Sequence, residues 1–177
     1  FSEPPRAPMS RIAVKICGVT EERDAIEAAL LGADAIGFHF FEGSPRRIDP
    51  AAARRISERL PALLGRVGVF GGDPVIRVLE IARTVGLTAV QLRLPEDPVF
   101  CSALAPHAWF QTVAFGPDTT AESFEACPCT TFLLDAAGWP PGDGPDWGRA
   151  RRFSVHGRMI LSGGLDAGNV AAAIERA

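Results

Sequence analysis

The sequence predicts an α/β fold of the parallel type, a (β/α)8 TIM barrel, and three observations support that expectation. Short apolar runs alternate with segments of helical periodicity along the whole chain. The apolar runs are hydrophobic on both faces, the pattern of parallel strands covered by helices. About seven such βα units follow one another, more than a flavodoxin-like open sheet needs, so closure into a barrel is the natural outcome.

The strand-like runs are, in order, IAVKIC (12–17), AIGFHF (35–40), RVGVFG (66–71), AVQL (89–92), WFQTVAF (109–115), TFLLDA (131–136) and RMILSGG (158–164). Between them, helices are expected over 21–31, with Thr20 as its cap, and over 50–60, 74–85, 98–104, 121–126 (weak), 147–153 and 169–176. Three of these begin with Asp49-Pro50, Asp73-Pro74 or Asp97-Pro98, where an acid caps and a proline with preset φ takes the first helical position. The chain ends at Ala177 inside the seventh helix, so an eighth βα unit is expected to be missing, through either truncation or an incomplete barrel.

At 177 residues one ordinary domain is expected, divided as a Pro-rich tail over 1–10, in which Met9 is a candidate initiator, and a single barrel domain over 11–177. Lys+Arg of 18 against Asp+Glu of 21 gives a net charge of -3 without runs of like charge, which argues against a nucleic-acid or membrane partner and for a small-molecule ligand. No apolar run approaches the ~20 residues that span a bilayer, and the N-terminus is unlike a signal peptide. Cys17, Cys101, Cys127 and Cys129 lack zinc spacing and fit reduced thiols in a cytoplasm.

Chemistry in such a barrel belongs at the carboxyl ends of the strands and in the loops that follow them. Cys17 ends the first strand, and a following helix N-terminus would stabilise its thiolate as a base or nucleophile; the plain alternative is a small core thiol. Asp135 follows four residues of an apolar strand, where partial desolvation would raise its pKa and suit it to general-acid work. A Cys base and an Asp acid suggest proton shuttling. Ser162, Gly163 and Gly164 precede a helix, where backbone N–H groups can approach a phosphate, which favours a phosphorylated substrate. Arg46 in the second loop suits fork-like recognition of a carboxylate, whereas its neighbour Arg47 reads as solvated. His39, His107 and His156 read most simply as surface or packing residues.

From residue 12 onward the ordered segments VKICGVT, GADAIGFHF, SPRRI, VGVF, AVQL, FLLDA, PDW and LSGGLDAGNV resemble phosphoribosylanthranilate isomerase of tryptophan biosynthesis. The resemblance implies a cofactor-free Amadori rearrangement of N-(5-phosphoribosyl)anthranilate to 1-(2-carboxyphenylamino)-1-deoxyribulose 5-phosphate by a cytoplasmic monomer or homodimer. Under it Asp135 would be the acid and Cys17 the base, Arg46 would hold the anthranilate carboxylate, and Ser162, Gly163 and Gly164 would line the phosphate site.

Two local departures stand out. Arg93-Leu94 replaces the family's His-Gly after VQL, and GWPPGDGPDW replaces its glycine-rich loop before Asp-Trp with a proline-stiffened one. The alternatives are a degenerate barrel that binds a phosphosugar or a partner without catalysis, and a related phosphosugar barrel; Cys17 with Asp135 favours the isomerase over both.

Overall fold

The computed structural model describes residues 12–94, 97–105, 107–125, 128–138 and 145–177. The expected tail over 1–10, Cys127 and most of the proline-rich loop, residues 139–144, lie outside the described residues. Strands β1 (Lys15–Cys17), β2 (Ala35–His39), β3 (Gly65–Phe70), β4 (Ala89–Leu92), β5 (Ala108–Ala114), β6 (Thr131–Asp135) and β7 (Arg158–Ser162) form one sheet. Its order is β1-β2-β3-β4-β5-β6-β7, and every neighbouring pair is parallel. Each strand therefore returns by a crossover, which helices supply.

Those helices are α1 (Glu22–Leu30), α2 (Pro50–Arg59), α3 (Val75–Val85), α4 (Pro98–Ala103), α5 (Glu122–Glu125), α6 (Trp147–Arg152) and α7 (Val170–Arg176). A 3-10 turn, Phe153–His156, extends α6. α3 shows why such a segment is helical: Val78, Ile81, Ala82 and Val85 recur at helical spacing and are all buried, and Gly86 closes the helix in the left-handed conformation.

Two of the three aspartate caps form as the sequence predicts. Asp49 accepts from the backbone N–H groups of Ala51 and Ala52, and Asp97 from that of Phe100. Asp73 instead lies one residue too early: Pro74 is the N-cap of α3, and Asp73 pairs with Arg77 at 3.1 Å. Thr20 is not a cap either, because Glu21 occupies that position at α1 without a side-chain bond.

The sheet is curved, and its two faces differ. Ile36, Phe38, Phe40, Phe70, Val90 and Leu92 pack with helix residues such as Val78 and Ile81. Val113, Phe132 and Leu134 pack likewise with Phe124, Trp147 and Ala173. The other face forms a cluster drawn from strands alone, Val67, Phe110 and Leu133 with Ala35, Ala89 and Ile160. Residues from six consecutive strands line this one face, and a hydrogen bond from Lys15 on β1 to Gln91 on β4, out of reach across the two intervening strands of a flat sheet, shows that the sheet curls around it as a barrel wall does. With about 25 cal/mol stabilisation per Å² of apolar surface removed from water, these layers hold the strand ends in fixed relation.

Candidate active site

Period-two alternation puts Lys15 and Cys17 on one face of β1. That face is the interior, because the Lys15 Nζ reaches Gln91 Oε1 on β4 at 2.9 Å, although β1 and β4 are not neighbours in the sheet. Gln91 in turn donates to Thr112 Oγ1 on β5 at 3.0 Å, so a polar chain crosses the interior above the strand-only cluster. Lys15 Nζ also donates to Cys17 Sγ at 2.8 Å. The cation facing the sulfur is thus a side chain two residues away, while α1 begins only at Glu22, beyond the turn that follows Cys17.

β1 and β2 pair with Cys17 opposite Gly37. A Cβ on Gly37 would stand 2.8 Å from Cys17 Sγ and 3.0 Å from Lys15 Cε, so glycine here leaves the room that both side chains occupy. His39 follows on the same face of β2, 8% exposed, with its Nε2 3.2 Å from Cys17 Sγ and its Nδ1 2.8 Å from Ser44 Oγ. This corrects the sequence reading of His39 as a surface or packing residue, since the register of β1 on β2 brings it to the thiol. Burial first, then the Arg46, Lys15 and Arg93 cations, lower the His39 pKa from 6.5 to about 4, so the ring is neutral at neutral pH. His156 does pack, stacked on Phe124.

Gly18 follows the cysteine for a geometric reason. It turns the chain at φ +80°, and its bare Cα lets the Arg46 side chain lie across it. Arg46 Nη1 then donates to the Cys17 carbonyl at 2.7 Å, with its own backbone N–H on Ser44 Oγ at 3.2 Å. Arg46 is exposed, and one of its five N–H donors is engaged by Cys17. Arg47 is exposed as expected. Arg93, which the sequence marks as a departure, stacks over Phe41 at 4.5 Å, and Phe41 packs 5.3 Å from His39. The substituted cation therefore joins the environment of the Cys17–His39 pair.

Asp135 ends β6 half-buried, its Oδ1 accepting from Ala137 N at 3.1 Å, and it pairs in register with Ser162. Gly163 (φ +82°) and Gly164 (φ +67°) follow Ser162 in the left-handed region. A Cβ on Gly163 would stand 2.6 Å from Asp135 Oδ1, so this glycine lets the loop after β7 close onto the carboxylate. Beyond it Asn169 Nδ2 donates to the Gly164 carbonyl at 2.6 Å and Asp166 accepts from Gly168 and Asn169, fixing the loop into α7.

The structure thus gathers two groups at the carboxyl ends of the strands: Cys17 with Lys15, His39, Ser44 and Arg46, and Asp135 with Ser162 and Gly163. Lys15 had a signal in the sequence, a lysine inside an apolar run two residues before Cys17. His39 and Gln91 had only their polarity within apolar strands. Among the described residues no cluster of three or more His, Cys, Asp or Glu could hold a metal ion, and no helix is long and apolar enough to cross a membrane.

A family model described as N-(5'phosphoribosyl)anthranilate (PRA) isomerase matches residues 14–177. N-(5'-phosphoribosyl)anthranilate isomerase of a Geobacter species is 40% identical over 172 residues, covering 92% of this chain and 81% of the relative. The crystal structure of phosphoribosyl anthranilate isomerase from Thermotoga maritima superposes with a TM-score of 0.80 at 35% identity, over 94% of this chain and 83% of that one. A phosphoribosyl anthranilate isomerase in complex with reduced 1-(o-carboxyphenylamino)-1-deoxyribulose 5-phosphate superposes with a TM-score of 0.78 at 35% identity, over 93% and 82%. With seven of the barrel's βα units in order and its strand-end motifs in place, the chain belongs to the N-(5'-phosphoribosyl)anthranilate isomerase family.

Proposed function

We propose that the chain catalyses the Amadori rearrangement of N-(5-phosphoribosyl)anthranilate to 1-(2-carboxyphenylamino)-1-deoxyribulose 5-phosphate in tryptophan biosynthesis. The observation that carries this reading is the pairing of one thiol and one carboxylate, Cys17 and Asp135, at the carboxyl ends of β1 and β6 within a family of such isomerases. Asp135 gives a proton to the furanose ring oxygen as the bond from that oxygen to C1 breaks, leaving a protonated Schiff base between C1 and the anthranilate nitrogen. Cys17 takes the proton from C2, and the electron pair of that C–H bond forms the enolamine double bond. Loss of the C2 hydroxyl proton and gain of one at C1 then give the ketone, with no net change in protons and no oxidant needed.

Arg46, already held over the turn that follows Cys17, supplies the remaining fork donors for the anthranilate carboxylate. The phosphate is assigned to Ser162, Gly163 and Gly164, whose left-handed backbone next to Asp135 suits close approach of an anion. This reading places the enzyme in the cytoplasm, acting on a small phosphorylated substrate without a cofactor.

The test is steady-state turnover of phosphoribosylanthranilate followed by its fluorescence. Asp135→Asn and Cys17→Ala are each expected to lower turnover at least ~10²-fold with little change in substrate affinity. Near-parental turnover in either variant removes that residue from the chemistry.

A further inference from the structure

We infer that His39 is a positioning residue for Cys17: as the neutral Nε2–H tautomer it donates to the Cys17 sulfur, with Ser44 fixing that tautomer through Nδ1. This rests on the reading of Cys17 as the base only for its consequence in turnover; the geometry of the pair stands on its own.

Donor counting favours this tautomer. Ser44 Oγ accepts the backbone N–H of Arg46 at 3.2 Å, and its one hydroxyl proton has His39 Nδ1, at 2.8 Å, as its acceptor. With Nδ1 accepting, the ring proton of a neutral imidazole must sit on Nε2, which faces Cys17 Sγ at 3.2 Å. The opposite tautomer would set two donors on the Ser44 oxygen and leave the hydroxyl proton without that acceptor. The chain of donors then runs in one direction, from Arg46 N–H through Ser44 and His39 to Cys17, where the Lys15 ammonium donates as well.

Charged and titratable groups around the ring favour its neutral form. Lys15 and Cys17 face it from β1, Arg46 from the loop between β2 and α2, and Arg93 from the segment after β4. Three cations and desolvation oppose an imidazolium, which is the direction of the pKa shift described above. A ring that stays neutral in this setting is a poor acceptor of the thiol proton and a suitable donor to a thiolate. Two N–H donors, one from Lys15 and one from His39, then fix where the sulfur lone pairs point, and hence the direction from which Cys17 can take a proton.

The test needs no substrate. In the full chain, carbamidomethylation by iodoacetamide is followed at the Cys17 peptide by mass spectrometry, for the parent, His39→Leu and His39→Gln. His39→Leu is expected to slow the reaction about tenfold at about pH 7, because the sulfur loses one of its two N–H donors. His39→Gln, whose amide can donate but cannot act as a base, is expected to restore most of the neutral-pH rate. An unchanged rate in His39→Leu, or a loss in His39→Gln as deep as in His39→Leu, overturns the assignment, the second outcome indicating a base rather than a donor.

A second measurement covers the case in which the variants do not fold. Two-bond 1H–15N spectra of the parent read the tautomer directly: a neutral ring protonated at Nε2 supports the inference, and a proton on Nδ1 or an imidazolium at about pH 7 overturns it. If the parent chain does not turn over phosphoribosylanthranilate while these readouts hold, the isomerase assignment falls and the Cys17–His39 geometry remains; if turnover behaves as expected while the tautomer is wrong, the reverse is true.

Discussion

Replacing Gly18 by alanine probes how the turn after β1 prepares the site. At φ +80° an L-residue is strained by about 1–2 kcal/mol. The new Cβ would stand 2.6 Å from Arg46 Nε, 2.7 Å from Cζ and 2.9 Å from Cδ. Because these atoms end an exposed, flexible side chain, the guanidinium moves rather than the backbone, and its bond to the Cys17 carbonyl is lost. A solvent-screened bond of this kind adds about 0.5–1 kcal/mol, for a total loss of roughly 1.5–3 kcal/mol by urea unfolding. On the proposed role of Arg46, the larger consequence is for binding, since the guanidinium is displaced from its place over the turn. Calorimetric titration with reduced 1-(o-carboxyphenylamino)-1-deoxyribulose 5-phosphate should weaken about tenfold or more in Gly18→Ala, in Arg46→Ala and, without further loss, in the double variant. Additive losses, or an unchanged affinity in Gly18→Ala, would refute the coupling between the turn and the arginine.

Gly163→Ala should be more damaging than Gly18→Ala, because its Cβ meets the backbone nitrogens of Ala136 and Ala137 as well as Asp135 Oδ1, and backbone cannot swing aside; a loss of at least about 2 kcal/mol in urea unfolding is expected, and near-parental stability would show that the loop is free to move. Asp97→Ala removes the cap of α4 and should cost about 1 kcal/mol, whereas Asp73→Ala, which removes no cap of α3, should cost about half that or less; equal losses would contradict the assignment of the caps. His39 binds its proton more weakly folded than unfolded, so between 6.5 and about 4 the unfolded chain holds more protons and stability rises with pH. The stability this histidine contributes is whole above 6.5 and is lost as the pH falls through about 4, so His39→Val should flatten the urea midpoint across that window; an undiminished slope would place the titration elsewhere.

The alternation of strand and helix was legible because it is a local property. The apolar spacing of Val78, Ile81, Ala82 and Val85, or the Asp-Pro pairs at 49–50 and 97–98, depends on helix period and on proline geometry and needs no other part of the chain. Given those strands, Cys17, Asp135 and Ser162 fall at their carboxyl ends from the sequence alone. Asp73 and Thr20 fit the sequence pattern of a cap without being one, because a cap requires one particular backbone conformation at one position, and neighbouring residues satisfy the same pattern.

What the sequence by itself determined, then, is a parallel barrel wall and the strand ends at which a thiol and a carboxylate stand. Only the tertiary structure decided what touches them. His39 reaches Cys17 through the pairing of Cys17 with Gly37, and Gln91 meets Lys15 only because the sheet curls across two intervening strands. Arg46 settles on Gly18 because a glycine Cα leaves the space. The physical reason is one of range: periodicity reports which face a residue takes, whereas a hydrogen bond depends on strand register, sheet curvature and the vacancy left by a missing Cβ, which arise from residues distant in the chain.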